Sequence, residues 1–446
     1  MRGSHRHLLV RQPIEPEQYP HPRIAERNRA YEFPFSFVIP EELPIAGCNH
    51  TCANDVITAE HKRLPPSMGD PLQAGNGPML LDDLAPHMSK IFYHVRVRVS
   101  VPRPSDGKEV DMVDLKQRIR LVPEMEERPP VNVEDQEDDD NVLHREKVIK
   151  KGTFQKRLGH LKAEISQPAS LVLPPPQSTS TCPVTTSATI TLRFDPSQED
   201  LPPPRLGMVT TRLKASTFFS TAPFRDFPTS LRPVYTSSRG VYYETLKLSS
   251  RNLSEVTWRR HDACSNVPRD QGLGTFPRLL NPDEAIPSST LQYNGGVFYT
   301  TNVRVPIALP KNKAWVPTFH SCLVSRVYQL EISLSIVTPS KSLLKSSINL
   351  RVPMQISAMG GPRHNPPLVS DEEVAAIFAP PPGINANVGL MGDAPHPVGF
   401  PAAMATPRPS VTFAGGPPPG YSFLAGASHG TPVRIPSPFG FASGCG

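Results

Sequence analysis

Proline constrains this chain more than any other feature. It occupies 55 of 446 positions, about 12% against a usual ~5%. Proline fixes φ, ends helices and removes a ladder donor from strands. Such punctuation argues against a helical bundle and against a doubly wound α/β enzyme. It suits short strands joined by many turns. Length allows two to three domains at about 100–200 residues each. Apolar residues make up 38% of the chain and glycine adds 28 positions, enough for one or two cores with something polar attached.

Hydrophobic periodicity is two rather than 3.6. Phe33, Phe35 and Phe37 alternate with Glu32, Pro34 and Ser36. Ile91, Tyr93, Val95, Val97 and Val99 alternate with Phe92, His94, Arg96 and Arg98. Further on, 189–194 and 241–248 read as strands. Within 327–337, Tyr328, Leu330, Ile332, Leu334 and Ile336 face one way and Glu331, Ser333 and Ser335 the other. Ile348, Leu350, Val352, Met354 and Ile356 repeat the pattern. One dry and one wet face is the signature of antiparallel sandwich sheets. The turn signal Tyr293-Asn294-Gly295-Gly296-Val297 separates two such runs. The expected fold is all-β, with two antiparallel sandwich domains.

Two segments break the pattern. Residues 361–446 hold 17 prolines and 13 glycines, so the tail from 359 reads as disordered. Ser370 and Glu373 fit a capping box there, with Val374, Ile377 and Phe378 on one face of a marginal helix. In 134–182, the acidic run Glu134 to Asp140 precedes Arg145, Lys147, Lys150, Lys151, Lys156 and Arg157, then Pro174 to Pro176 and Ser/Thr-rich sequence. This reads as a solvated linker. The expected organisation is therefore a partial N-terminal domain (1–133), a linker (134–182), a C-terminal domain (183–358) and a tail (359–446).

A net charge of +6 over this length gives no nucleic-acid signature. Six cysteines, Cys48, Cys52, Cys182, Cys264, Cys322 and Cys445, are too thinly spread for a disulfide scaffold. No apolar segment follows Met1 as in a signal peptide, and no run approaches the ~18 apolar residues of a membrane span. These features predict a cytoplasmic protein.

Catalytic motifs such as HExxH, GxxxxGK[ST] and GxGxxG are missing from the sequence. Cys48-Asn49-His50-Thr51-Cys52, with His61 beyond it, offers four N/S donors. Its one-residue spacings are tighter than zinc knuckles use. The expectation is a loop feature, with no metal and no cofactor. The stronger motif is Pro418-Pro419-Gly420-Tyr421, a PPxY pattern. WW domains seat two prolines of a preformed PPII segment between aromatic rings, and the tyrosine fills a neighbouring pocket.

Several stretches together resemble the fungal α-arrestins, or arrestin-related trafficking adaptors. They are Tyr31 to Pro40, Cys48, His50 and His61, Leu64 to Asp70, Asp82 to Pro86, the strand 91–99 and Val316 to Tyr328 with the two strands after it. The likeness spans roughly 8–358. It implies two arrestin-type sandwiches and no enzyme activity. It further implies an adaptor that recruits a WW-domain HECT ubiquitin ligase through Pro418, Pro419 and Tyr421, so that plasma-membrane transporters are ubiquitylated and endocytosed. The implied location is cytoplasmic, transiently at plasma membrane or endosomes. In that family several strands precede the Phe33–Phe37 one, where here only about 30 residues do, so the first sandwich is expected to be incomplete. A coat- or retromer-like subunit without a working PPxY, or an inactive truncated product, are the alternatives.

Overall fold

The alternation at 327–337 marks the middle strand of the fold. The computed structural model describes residues 5–12, 14–22, 24, 26, 29–43, 50–71, 81–129, 141–151, 156–175, 182–228, 238–262, 289, 293, 295–337 and 346–360. Within these residues the fold is all-β, with one α-helix, α1 (Asp55–Lys62). An antiparallel ribbon pairs β1 (Tyr93–Pro102) with β2 (Glu109–Ile119). The first large sheet joins β3 (His144–Lys151), β4 (Lys156–Ile165), β6 (Thr185–Pro196), β10 (Val297–Ala308) and β9 (Arg259–Asp262) in that order. The second runs β11 (Phe319–His320), β12 (Val324–Val337), β7 (Arg205–Ser220) and β8 (Arg239–Asn252), with β13 (Ser346–Met354) also on β12. A short parallel pair, β5 (Leu171–Leu173) and β14 (Ile356–Ala358), completes the set.

The two large sheets enclose one core. Ile190, Leu192 and Phe194 of β6 and Val303, Val305 and Ile307 of β10 are buried in it, as are Leu330, Ile332 and Leu334 of β12 and Leu350 and Val352 of β13. Register keeps these faces aligned: Leu330 lies opposite both Leu213 and Val352, and Ile332 opposite Leu350. Because side chains alternate, each strand gives the core every second residue and leaves the rest outside. Met68, Leu84, Ile91 and Met125 join the same core, so the segments before β3 also cover it.

The expected linker, 134–182, contributes three strands. β3 and β4 form one end of the first sheet, where Leu161 pairs with Phe194, Ala163 with Leu192 and Ile165 with Ile190. Of the charges that suggested a solvated run, Arg145 and Lys147 lie on β3 opposite Ala163 and Leu161, and Lys156 and Arg157 begin β4. Lys162 and Glu164 pair at 2.7 Å, while Leu161, Ala163 and Ile165 face inward. The sandwich thus begins near residue 144, well before 183.

The region 1–133 contains only the β1–β2 ribbon as a sheet among the described residues. One face bears Arg96 with Asp114 at 2.6 Å and Arg98 with Asp111 at 3.3 Å. The other aligns Val97 with Leu115 and Val99 with Val113, all at least 41% exposed. No second sheet covers this apolar face among the described residues. Tyr31 to Pro40, expected as a strand, forms none; Phe35 is 58% exposed. Alternation gives a segment two faces, but a strand also needs another strand to pair with, and none pairs with this one among the described residues. The helix α1 was not expected. It buries Glu60 and His61 beside Ile57 rather than an apolar stripe, which hides its period.

No helix among the described residues is long and apolar enough to cross a membrane. Residues 361–446, and with them the expectations of a disordered tail and of a short helix at Ser370 to Phe378, as well as Pro418, Pro419 and Tyr421, lie outside the described residues, as does Cys48.

Candidate functional site

The described residues bring the remaining histidines and a cysteine of the 48–61 motif into contact. Asn54 starts α1 by accepting a hydrogen bond from the Ile57 amide at 3.0 Å, and Asp55 and Lys62 complement the helix dipole at either end. This capping carries His61 to the last turn, where it is only 1% exposed. The chain before the cap folds back. His50 Nε2 lies 3.1 Å from His61 Nδ1, and Cys52 Sγ lies 3.5 Å from the same nitrogen.

A donor from far along the sequence joins the two histidines, in a group that does not include Cys52. Cys322 occupies the connection between β11 and β12, and its sulfur falls with the His50 and His61 nitrogens in a group whose members lie within 4.8 Å of one another. One backbone segment holds both halves of the cluster. The Ala53 amide donates to the Arg225 carbonyl at 2.9 Å, and the Phe224 amide donates to the Cys322 carbonyl at 2.8 Å. The helix is fixed from its other side as well. Arg128 donates to the buried Glu60 carboxylate, and its backbone exchanges two 2.9 Å hydrogen bonds with the Gln355 side chain.

Electrostatics favour neutral imidazoles. Burial first, then the neighbouring His50, lowers the His61 pKa to about 4. Burial also lowers that of His50. His320, next to the cluster in sequence, is held down to about 3 by burial, Arg128 and His61, and its Nδ1 has no hydrogen-bond partner among the described residues. A neutral imidazole keeps a lone pair for a proton or a metal. His50 also lines an open surface pocket of about 480 Å³ with Thr51, Pro223, Arg225 and Arg239, so the cluster is reachable from solvent.

A second polar feature is structural. Arg326 is fully buried; Nη2 donates to the Asp83 carbonyl at 3.2 Å and contacts Met68 Sδ at 3.4 Å, and Cζ lies 5.9 Å from the centroid of the Tyr328 ring. Nε and Nη1 have no partner among the described residues. The Asp83 carboxylate accepts from the Gly69 amide at 2.5 Å and the Ala85 amide at 3.1 Å. Asp82 pairs with Lys313 at 2.6 Å. Through these contacts β12 holds the segments around 68 and 83 against the sandwich.

Sequence reading singled out His50, Cys52 and His61 but dismissed them as a loop feature, and it missed Cys322. Nothing local marks Cys322: it reaches the cluster only because β11 packs beside α1. No protein-family model matches this sequence, and no curated protein matches it.

Proposed function

We propose that this chain is a non-catalytic trafficking adaptor of the arrestin-related type. It links a WW-domain HECT ubiquitin ligase to plasma-membrane transporters, so that these are ubiquitylated and endocytosed. The observation that carries the reading is Pro418-Pro419-Gly420-Tyr421, set in a tail rich in proline and glycine. The two-sheet antiparallel sandwich supports it, because arrestin-type domains are built from such sheets. In this reading the sandwich holds the cargo and the tail holds the ligase. Their linkage raises the local concentration of ligase at the transporter's lysines, which is the whole of the chemical contribution. The adaptor works in the cytoplasm and meets membranes only peripherally, through its cargo, and nucleic acid has no part in it.

The test is titration of the full chain, and of a peptide covering 411–426, against a WW domain of the HECT ligase class. Two prolines and one tyrosine make a small interface, so a micromolar Kd is expected, about −7 to −8 kcal/mol. Tyr421→Ala should weaken it by about tenfold or more, since the ring is the side chain that fills the second pocket. Equal binding by parent and variant would remove the motif from the account, and with it the ligase-recruiting role.

A further inference from the structure

We propose that His50, Cys52, His61 and Cys322 bind one zinc ion that clamps α1 to the β11–β12 connection. The geometry is the starting point. Zinc–nitrogen bonds of about 2.0 Å and zinc–sulfur bonds of about 2.3 Å set neighbouring tetrahedral ligands about 3.3 Å apart for two nitrogens and about 3.5 Å for nitrogen and sulfur. The pairs His50 Nε2–His61 Nδ1 and Cys52 Sγ–His61 Nδ1 measure 3.1 Å and 3.5 Å. Two edges of the tetrahedron are therefore in place. Cys322 Sγ lies within 4.8 Å of a ring nitrogen of His50 and of His61; Cys52 is not in that group of three, so a side-chain shift that brings the two sulfurs together supplies the fourth corner.

The chemistry selects the metal. Two thiolates and two imidazoles in a closed tetrahedral set suit zinc, whereas carboxylate-rich sites suit magnesium or calcium. The site sits where a clamp has most to hold: His61 and Cys322 are buried, and the segments carrying them are far apart in sequence. The pocket beside His50 gives the ion a way in. Each thiol releases its proton on binding, so the four ligands contribute two negative charges that balance the dication. The tight one-residue spacing from His50 to Cys52 is no obstacle, because the remaining ligands come from a helix and from the β11–β12 connection.

The full chain, purified without chelators, should carry about one zinc per molecule by elemental analysis. Stripped of metal and titrated with cobalt, it should show the visible d–d bands of tetrahedral cobalt together with a sulfur-to-cobalt charge-transfer band. His61→Asn should lose both signals. Cys52→Ser, at a half-exposed position, should keep the fold by circular dichroism and bind zinc about tenfold or more weakly. The exposed Cys182→Ser should behave as the parent. A parent chain with neither zinc nor cobalt bands would overturn the proposal without reference to any variant. So would a full zinc complement retained in both Cys52→Ser and His61→Asn, which would place the ion elsewhere.

Discussion

Leu161→Asp is expected to abolish cooperative folding of the sandwich. Leu161 lies in β4 with no exposed surface, opposite Phe194 of β6. The substitution removes the burial of a leucine, about 1.5–3 kcal/mol. It also places a carboxyl group on the inward face of β4, between Phe194 of β6 and Lys147 of β3, whose Nζ already donates to the Ser347 carbonyl at 2.8 Å. Lys147 can meet it only by giving up the Ser347 carbonyl, so the buried carboxyl still adds a cost of about 1–3 kcal/mol or more. Together these losses reach the scale of a whole domain's stability, about 5–15 kcal/mol. A leucine in a solvated linker would tolerate the same change within about 0.5 kcal/mol. Denaturant unfolding of the purified variant distinguishes the two. The expected result is insoluble protein or a shallow transition, and a midpoint equal to the parent's would return 144–165 to the linker.

Phe194→Ala should cost about 3–5 kcal/mol. The ring is fully buried where β4, β6 and β10 meet, with Leu161 opposite it on one side and Tyr299 on the other. Its centroid lies 6.4 Å from that of Tyr299. The ring also covers Gly159: a Cβ there would fall 2.7 Å from Phe194 Cζ and would collide with the Asp195 carbonyl. The space that a side chain on β4 would take is thus filled from β6. Truncation leaves a cavity that the backbone cannot close, because Gly159 has nothing to move into it. Thermal unfolding should show a Tm lower by several degrees with the β-sheet signal of the folded state preserved. An unchanged Tm would mean that β4 and β6 do not pack as described.

How much of this was legible in the sequence depended on where charge fell. β12 and β13 alternate apolar with small or polar residues, so both strands could be read from their period of two. β4 has the same period, but it follows the charges Arg145, Lys147, Lys150 and Lys151 and opens on Lys156 and Arg157, and that charge obscured the inner row of Leu161, Ala163 and Ile165. Phe33, Phe35 and Phe37 show the opposite failure. Their alternation is clear, yet pairing is a property of two segments, and no described strand pairs with them. The donor cluster divided in the same way. His50, Cys52 and His61 are close in sequence and could be noticed, although α1, which brings His61 to the others, buries a glutamate and a histidine and has no apolar stripe to announce it. Cys322 is brought near by sheet order alone, which no local pattern encodes.

The central claim is that one sandwich runs from β3 to β14 and takes the charged segment 144–165 into its fabric. Native-state hydrogen exchange on the full chain tests it most directly, because amides of one cooperative unit open together. The β4 amides that pair with β6 should exchange with the same opening free energy as those of β12 and β13, and should lose protection at the same denaturant concentration. Exchange of 158–165 at rates close to those of an unstructured chain, with β12 still protected, would contradict the account.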